Sequence, residues 1–260
     1  MILLADLKNT SFSVALYSDR KTRKAGFRIY PDRTKSESEY IATLLQFFSL
    51  ESIRKEDIEG AVLSSVVPSL TKRIQSAISK ATGKQCLLLS RKLKTGIAIR
   101  TDSPSEVGSD LIASALGAIQ DYQKDMLIVS LSSVLSFSLV TEKKEFLGCS
   151  LFPGLRLSSE AMWNSSAQLM DIDLSIPARL IGKSTKESMN AGIVGGYLTL
   201  IRHFSEEIEK EYGKPLYKIL TGTDMGILQD ALVSEFECNA DLIFDGLYEI
   251  YTKNKENYLK

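Results

Sequence analysis

The sequence predicts an α/β protein made of two similar halves, and two observations lead to that prediction. Segments with the pattern of β-strands come in groups of three at two places, once from Met1 and again from Met126. After each group of three, helical and strand patterns alternate along the chain. We therefore expect two domains related by duplication, residues 1–115 and residues 116–260, with a ligand cleft between them.

The first half has the element order of a ribonuclease-H-like domain. Its helix over residues 36–50 begins at Ser36, and Glu39 follows at the spacing of a capping box. A second helix over residues 70–81 is followed by Gly83, where a C-terminal cap belongs. The strands are expected over residues 1–6, 11–17, 24–30, 60–67 and 85–89. Three strands followed by alternating helices and strands is the ribonuclease-H-like plan.

The second half repeats that plan after a connecting helix over residues 108–122, where five apolar residues share one face. Strands are expected over residues 126–129, 134–141, 146–152 and 218–220. Helices are expected over residues 158–169, 184–211 and 224–233. Because each half has a tight turn between its first two strands, backbone N–H groups at these two turns can hold phosphate.

Composition excludes several classes of function. Lysine and arginine total 32 and aspartate and glutamate total 32, so the balanced charge argues against a nucleic-acid partner. No segment has the roughly 20 apolar residues of a membrane span, and no charged leader precedes an apolar stretch. Three widely separated cysteines indicate a reducing compartment. We therefore expect a cytoplasmic protein that binds neither nucleic acid nor membrane.

Six short motifs follow one another in a fixed order. They are Asp6-Leu7-Lys8-Asn9-Thr10, Ser64-Ser65-Val66-Val67-Pro68, Lys94-Thr95-Gly96 with Glu106-Val107-Gly108-Ser109-Asp110, Pro153-Gly154, Gly182-Lys183-Ser184-Thr185, and Thr221-Gly222. In identity and order they resemble the motifs of the type III pantothenate kinase family, over essentially the whole chain. The resemblance implies two ribonuclease-H-like domains of the actin-like ATPase superfamily.

The resemblance also implies a reaction, the transfer of the γ-phosphoryl group of ATP to pantothenate, the first step of coenzyme A biosynthesis. It implies ATP and Mg²⁺ as cofactors, with Asp6 on the metal side, and it makes Asp110 the general base. From the residues alone, the alternative explanation of Asp6 is a turn former, and that of Asp110 is an acid in the first turn of a helix.

The resemblance assigns the remaining site residues to phosphate turns and to the substrate. The residues implied in nucleotide and phosphate binding are Asp6, Lys8, Asn9, Thr10, Ser132, Ser133, Thr221 and Gly222. Those implied on the substrate side are Gly108, Ser109, Gly154 and Thr185.

Departures from the family pattern are concentrated in the two phosphate turns. Lys8 stands where the family has glycine. Its side chain either blocks the close approach of a phosphate to the backbone or supplies a cation to the phosphates. Ser130 stands where the family has the aspartate of a monovalent-cation site for K⁺ or NH₄⁺, and a neutral oxygen holds a cation less well. Ser132 replaces a glycine of the same turn and Leu135 a hydroxyl.

Three further positions depart from the pattern, since Leu111 replaces an arginine, Thr101 a tyrosine and Thr223 a glycine. Three readings follow from this pattern. The chain is an active pantothenate kinase, a non-catalytic or regulatory relative that keeps the fold, or a superfamily member that acts on another small alcohol. Fold alone does not decide among them.

A homodimer is also expected, chiefly from the resemblance. The predicted helix around residues 189–208 carries an apolar face that includes Ile193, Tyr197, Leu200 and Ile201. The same face equally suits the core of its own domain.

Overall fold

The structure is a computed structural model that describes residues 1–90 and 92–258. Its strands are β1 (Ile2–Leu7), β2 (Phe12–Asp19), β3 (Thr22–Ile29), β4 (Gly60–Ser65), β5 (Cys86–Leu88), β6 (Ala98–Ile99), β7 (Met126–Leu131), β8 (Val134–Val140), β9 (Glu145–Pro153), β10 (Tyr217–Thr221) and β11 (Glu237–Cys238). Its helices are α1 (Glu37–Leu50), α2 (Pro68–Thr82), α3 (Ser109–Asp121), α4 (Leu155–Asn164), α5 (Thr185–Asn190), α6 (Gly196–Tyr212), α7 (Gln229–Leu232) and α8 (Leu242–Tyr258).

The chain divides into two compact units. Unit 1 comprises Met1–Ala98, Asp102–Tyr122 and the chain from Leu242 onward, and unit 2 comprises Ile99–Thr101 and Gln123–Asp241. The expected division into residues 1–115 and 116–260 differs from this grouping because the last helix, α8, packs against α3 inside unit 1. The sequence analysis did not predict α8.

Unit 1 is built on a five-stranded sheet in the order β3-β2-β1-β4-β5. The central strand β1 is antiparallel to β2 and parallel to β4. The predicted three-strand start and the following parallel strands are confirmed. The carboxyl end of β1 therefore lies beside the carboxyl end of β4, which brings Asp6 opposite Ser64 in the register.

Helices cover both faces of this sheet. On one face, α1 and α2 pack against Leu3, Phe12 and Leu63. On the other face, α3 and α8 pack against Leu4 and Val62. The helix ends follow local rules: the Ser36–Glu39 capping box that begins α1 is present, and Gly83 ends α2 in the left-handed conformation.

Unit 2 repeats the sheet of unit 1. Its six-stranded sheet has the order β11-β10-β7-β8-β9-β6, so β9-β8-β7-β10-β11 corresponds strand by strand to β3-β2-β1-β4-β5. Again the first two strands are antiparallel, and the fourth is parallel to the first. This shared order confirms the duplicated α/β architecture.

Several helices of unit 2 differ from their predicted form. The continuous helix expected over residues 184–211 is α5, a π-helical stretch at Ala191–Gly195, and α6. The helix expected over residues 224–233 is a 3₁₀ turn, Met225–Ile227, followed by the single turn of α7.

The apolar face that suggested a dimer packs inside unit 2. Ile193 and Ile201 are buried in the same cluster as Leu127, Val129 and Phe137 of the sheet. The helix therefore covers its own sheet, and its periodicity gives no support for a homodimer. Within residues 1–90 and 92–258, no helix combines the length and apolarity needed to cross a membrane.

Candidate active site

The first phosphate turn joins β1 to β2. Asp6, near the end of β1, is paired with Ser13 of β2 and Ser64 of β4, and only 3% of its surface is exposed. The N–H of Lys8 donates to the carbonyl of Ser11 at 2.7 Å and closes the turn. Asn9 and Thr10 are exposed at its tip. In this turn the carboxylate of Asp6 is therefore buried, whereas Asn9 and Thr10 at the tip are exposed to solvent.

Three charged side chains meet beside this turn. The Nζ atom of Lys8 lies 3.7 Å from Oδ2 of Asp6 and 3.5 Å from Oδ2 of Asp110. Lys8 is itself buried, and the other carboxylate oxygen of Asp6, Oδ1, is buried with no hydrogen-bond partner. A buried charged oxygen without a partner is costly, and such groups are concentrated at functional sites.

The electrostatics of the cluster follow from burial and proximity. Burial is the largest influence on Asp6; Lys8 opposes it and Asp110 adds to it, and the pKa of Asp6 is raised to about 6. Burial disfavours the charge on Lys8, but Asp6 and Asp110 outweigh it and raise the pKa of Lys8 above its ordinary value. At neutral pH, therefore, both Asp6 and Lys8 are charged.

The first turn of α3 places Asp110 in this cluster. Gly108 is the N-cap of α3, and a Cβ there would lie 2.6 Å from Oδ1 of Asp110. That oxygen accepts a hydrogen bond from the N–H of Leu111 at 3.0 Å, which leaves Oδ2 facing Lys8. Gly108 therefore provides the space in which the carboxylate of Asp110 lies.

A serine network ties α3 to the end of β4. The hydroxyl of Ser109 lies 3.0 Å from the hydroxyl of Ser64, accepts from the N–H of Ser65 at 3.2 Å and donates to the carbonyl of Ser65 at 3.1 Å. These bonds fix the position of Asp110, the next residue. Ser109 was predicted on the substrate side, but its link to Ser64 was not predicted, because only the folded sheet brings these two residues together.

The second phosphate turn, between β7 and β8, is held by hydrogen bonds between neutral groups. Ser130 is buried, and it is paired with Ser136 of β8 and Thr221 of β10. The hydroxyl of Ser132 accepts a hydrogen bond from the N–H of Thr223 at 3.2 Å. The predicted phosphate turn and the predicted Thr221-Gly222 loop thus meet within unit 2.

Two glycines allow neighbouring backbone segments to pack closely against the turn between β7 and β8. Gly222 has φ +107°, and a Cβ on it would lie 2.3 Å from the carbonyl oxygen of Leu131. Gly154 donates its N–H to the carbonyl of Ser133 at 2.9 Å, and a Cβ there would lie 2.0 Å from the carbonyl oxygen of Ser132. The backbones of three segments are therefore packed together around the serine turn.

One ion pair beside this turn was not predicted. Arg156, in the first turn of α4, donates through Nε to Oδ1 of Asp224 at 2.9 Å. The N–H of Asp224 donates to the carbonyl of Leu131, so the buried carboxylate is fixed to the end of β7. Arginine two residues after Pro153-Gly154 was the available signal, but nothing local connects it to Asp224.

Thr185 lies in a different part of unit 2. It begins α5 and lines a cavity of about 580 Å³ together with Gly182, Lys183, Ser184 and Met189. The cavity lining is mixed in character, because it includes the apolar residues Met162, Leu169 and Met189 and the polar residues Ser184, Thr185 and Ser188. Such a lining suits a small ligand that has both a polar and an apolar part.

The first turn fits a divalent cation that arrives with a nucleotide. Within the described part of the chain, no three carboxylate, histidine or cysteine side chains are grouped to hold a metal. Mg²⁺, however, is usually bound through one or two carboxylates together with substrate phosphates, and Asp6 offers one unpartnered oxygen. At the second turn, Ser130 offers only a neutral hydroxyl.

Two units with the same sheet order and a polar turn after the first strand of each define the class of the protein by its fold, which is that of the actin-like ATPases. A Baf family protein from Campylobacter jejuni has this fold: its structure matches with a TM-score of 0.62 at 17% identity, covering 98% of this chain and 99% of its own.

The family follows from sequence comparison. The model of the type III pantothenate kinase family matches residues 2–207. A type III pantothenate kinase of Persephonella marina is 33% identical over 252 residues, 97% of this chain and 98% of the relative. One from Finegoldia magna is 36% identical over 214 residues, 82% of this chain and 81% of the relative.

The chain therefore belongs to the type III pantothenate kinase family, and the expected family is confirmed. The activity of this family is the ATP-dependent phosphorylation of pantothenate in coenzyme A biosynthesis. The comparisons support that function and offer no support for the non-catalytic alternative. ATP, a divalent metal and a small-molecule substrate follow from the family.

Proposed function

We propose that this chain phosphorylates pantothenate with Asp110 as the general base and the Asp6–Lys8 pair on the phosphate side. The cluster of Asp6, Lys8 and Asp110 carries the proposal. Burying the carboxylate of Asp6 and the ammonium of Lys8 beside the half-buried Asp110 costs free energy that packing alone does not require. A relative that had lost its chemistry would have no physical reason to keep an unpartnered oxygen on Asp6.

In this proposal the residues of unit 1 act directly on the reacting groups. Asp110, held at the start of α3 by the Ser109 network, accepts the proton of the pantothenate hydroxyl as that oxygen bonds to the γ-phosphorus of ATP. The bond from this phosphorus to the bridging oxygen breaks, and ADP leaves. Asp6 would hold Mg²⁺ through its unpartnered carboxylate oxygen, and the ion would supply positive charge on the phosphate side. Lys8 contributes a second positive charge to the phosphates, and Asn9 and Thr10 offer polar groups at the tip.

The residues of unit 2 bind without taking part in proton transfer. Ser132 and Ser133 supply hydroxyl donors to phosphate, and the Thr221-Gly222 loop lies on the adenosine side. Gly154 and Thr185, together with Gly108 and Ser109 of unit 1, are the proposed pantothenate-side residues. Because Ser130 is neutral, we propose that a monovalent cation such as K⁺ or NH₄⁺ raises turnover only slightly.

We also propose a cytoplasmic homodimer. The support is a set of exposed apolar residues that lie together in the sequence of unit 2, on α4 and in the segment between α4 and α5. They are Leu157, Met162, Met170, Ile176, Leu180 and Ile181. Light scattering at micromolar concentration tests the proposal, and a monomer alone under these conditions would contradict it.

The direct test of function is a coupled assay of ADP release with purified protein, ATP, Mg²⁺ and pantothenate. We expect pantothenate-dependent turnover with little difference between K⁺ and Na⁺. The control is a pantothenate analogue whose phosphorylated hydroxyl is replaced by hydrogen. Melting in the presence of Mg-ATP gives a separate readout, since a ligand that binds only the native state raises the melting temperature. A melting temperature that rises with Mg-ATP, in a protein without turnover, would favour the non-catalytic reading.

A further inference from the structure

The ammonium of Lys8 lies between two carboxylates that belong to different elements of unit 1. Its Nζ atom is 3.7 Å from Asp6 at the end of β1 and 3.5 Å from Asp110 at the start of α3. These are ion-pair distances longer than a normal hydrogen bond. The ammonium thus offsets one of the two negative charges and does not take up all the hydrogen-bonding capacity of the carboxylates.

An unused acceptor remains in this cluster. Oδ1 of Asp6 is buried and has no hydrogen-bond partner, although Asp6 is only 3% exposed. An ionised oxygen in that position is stabilised only by a cation or a donor. The negative charge of Asp6 and Asp110 is therefore only partly offset by Lys8, and the cluster can attract a further cation.

The charge of Lys8 decides whether a second cation can enter. With Lys8 in place the three side chains carry a net charge of about −1, and without it about −2. A divalent ion bound to Asp6 would lie within a few ångströms of the ammonium, and at that range two positive charges repel strongly in a partly buried site. A glycine at this position would leave the space between the two carboxylates open.

We propose that Lys8 is an internal cation that occupies the divalent-ion position of unit 1 while no nucleotide is bound. A divalent ion then binds only together with nucleotide phosphates, whose negative charge draws the ammonium away from Asp6 and Asp110. The inference rests on the proposed function only in treating this cluster as the metal side of the kinase. It assigns Lys8 a part in the order in which metal and nucleotide bind.

Binding of Mn²⁺ alone, followed by electron paramagnetic resonance without nucleotide, tests the proposal. Mn²⁺ prefers the same oxygen ligands as Mg²⁺. We expect no Mn²⁺ binding to the parent below roughly 1 mM, and binding at least about tenfold tighter in Lys8→Met, which keeps the length of the side chain and removes its charge. Adding Asp6→Asn to Lys8→Met should abolish the gained site.

Lys21 provides a matched control in the same unit. Its ammonium also lies between two carboxylates, those of Asp121 and Asp245, but it is half exposed and Asp121 is paired with Arg20 as well. Lys21→Met should gain no Mn²⁺ site. Equal gains in Lys8→Met and Lys21→Met would show a general charge effect and overturn the proposal.

Other outcomes are equally decisive. Mn²⁺ binding to the parent as tight as to Lys8→Met would overturn the proposal, as would a gained site that survives Asp6→Asn. Should Lys8→Met fail to fold, Lys8→Gly and the charge-preserving Lys8→Arg replace it, with gain of Mn²⁺ binding expected only in the former. Since the readout needs neither ATP nor pantothenate, a protein that passes this test but lacks turnover refutes the proposed function alone.

Discussion

The two units share one sheet order but fill the turn after their first strand with opposite chemistry. In unit 1 the turn is charged, with Asp6 and Lys8 buried against Asp110. In unit 2 the turn is neutral, with Ser132 bonded to the N–H of Thr223 and closely packed by Gly154 and Gly222. The sheet constrains where the turn lies, because it fixes the register, and leaves the chemistry of its side chains free to diverge.

The largest effect is expected from Asp110→Asn. An amide keeps the shape of the side chain but cannot accept a proton, so turnover should fall by about 10²–10⁴-fold while melting changes little. A coupled kinetic assay and thermal melting check this. Full turnover in Asp110→Asn would mean that the charged cluster of unit 1 is not the catalytic side, and the contrast between the two turns would lose its functional meaning.

The packing of the neutral turn should make Gly222→Ala strongly destabilising. The new Cβ meets the carbonyl of Leu131 at 2.3 Å with φ at +107°, so we expect a loss of about 3 kcal/mol or more in the free energy of unfolding. Gly213→Ala is the matched control, because Gly213 has φ +86° with no atom within 4 Å of its Cβ, and it should cost only about 1 kcal/mol. Equal losses in denaturant unfolding would argue against tight packing at the serine turn.

The charged turn of unit 1 should make the stability of the protein depend on pH through Asp6. Because the pKa of Asp6 is raised from 3.8 to about 6 in the folded protein, its protonated form favours folding, and that stabilisation is lost as the pH rises through about 6. In metal-free buffer, the free energy of unfolding of the parent should fall by on the order of 2 kcal/mol relative to that of Asp6→Asn between pH 4 and pH 8. Parallel stability curves for the two proteins would show that Asp6 titrates normally.

The smallest effect is expected at the neutral turn, where Ser130→Asp restores an acid. A carboxylate at this position should hold K⁺, and we expect ATP binding to become about tenfold tighter in K⁺ but not in Na⁺. Ser130→Asn keeps the size without the charge and serves as control. Calorimetry measures both, and a gain in Ser130→Asn as well would attribute the effect to shape.

The sequence predicted those parts of the structure that depend on local patterns. The succession of strands and helices along the chain, the Ser36 cap and Gly83 follow from periodicity and short-range rules. The pairing of Lys8 with Asp110 could not be predicted, since these residues are far apart in the sequence and meet only through the packing of α3 on the sheet. In the same way, Ser109 was predicted as a site residue, but its bonds to Ser64 and Ser65 could not be, because they depend on the neighbouring strand.

The position of α8 has a consequence for the synthesis of the chain. Unit 1 is interrupted by Gln123–Asp241, and its last helix follows that whole segment. Until α8 leaves the ribosome, the side chains of Leu4, Val62 and Leu116 that it helps to cover lack that part of their packing. At about 5–20 residues per second, this leaves an apolar surface open on the order of 10 s, a period in which a holding chaperone can bind it. Unit 2, by contrast, is complete in sequence before the ribosome has finished unit 1.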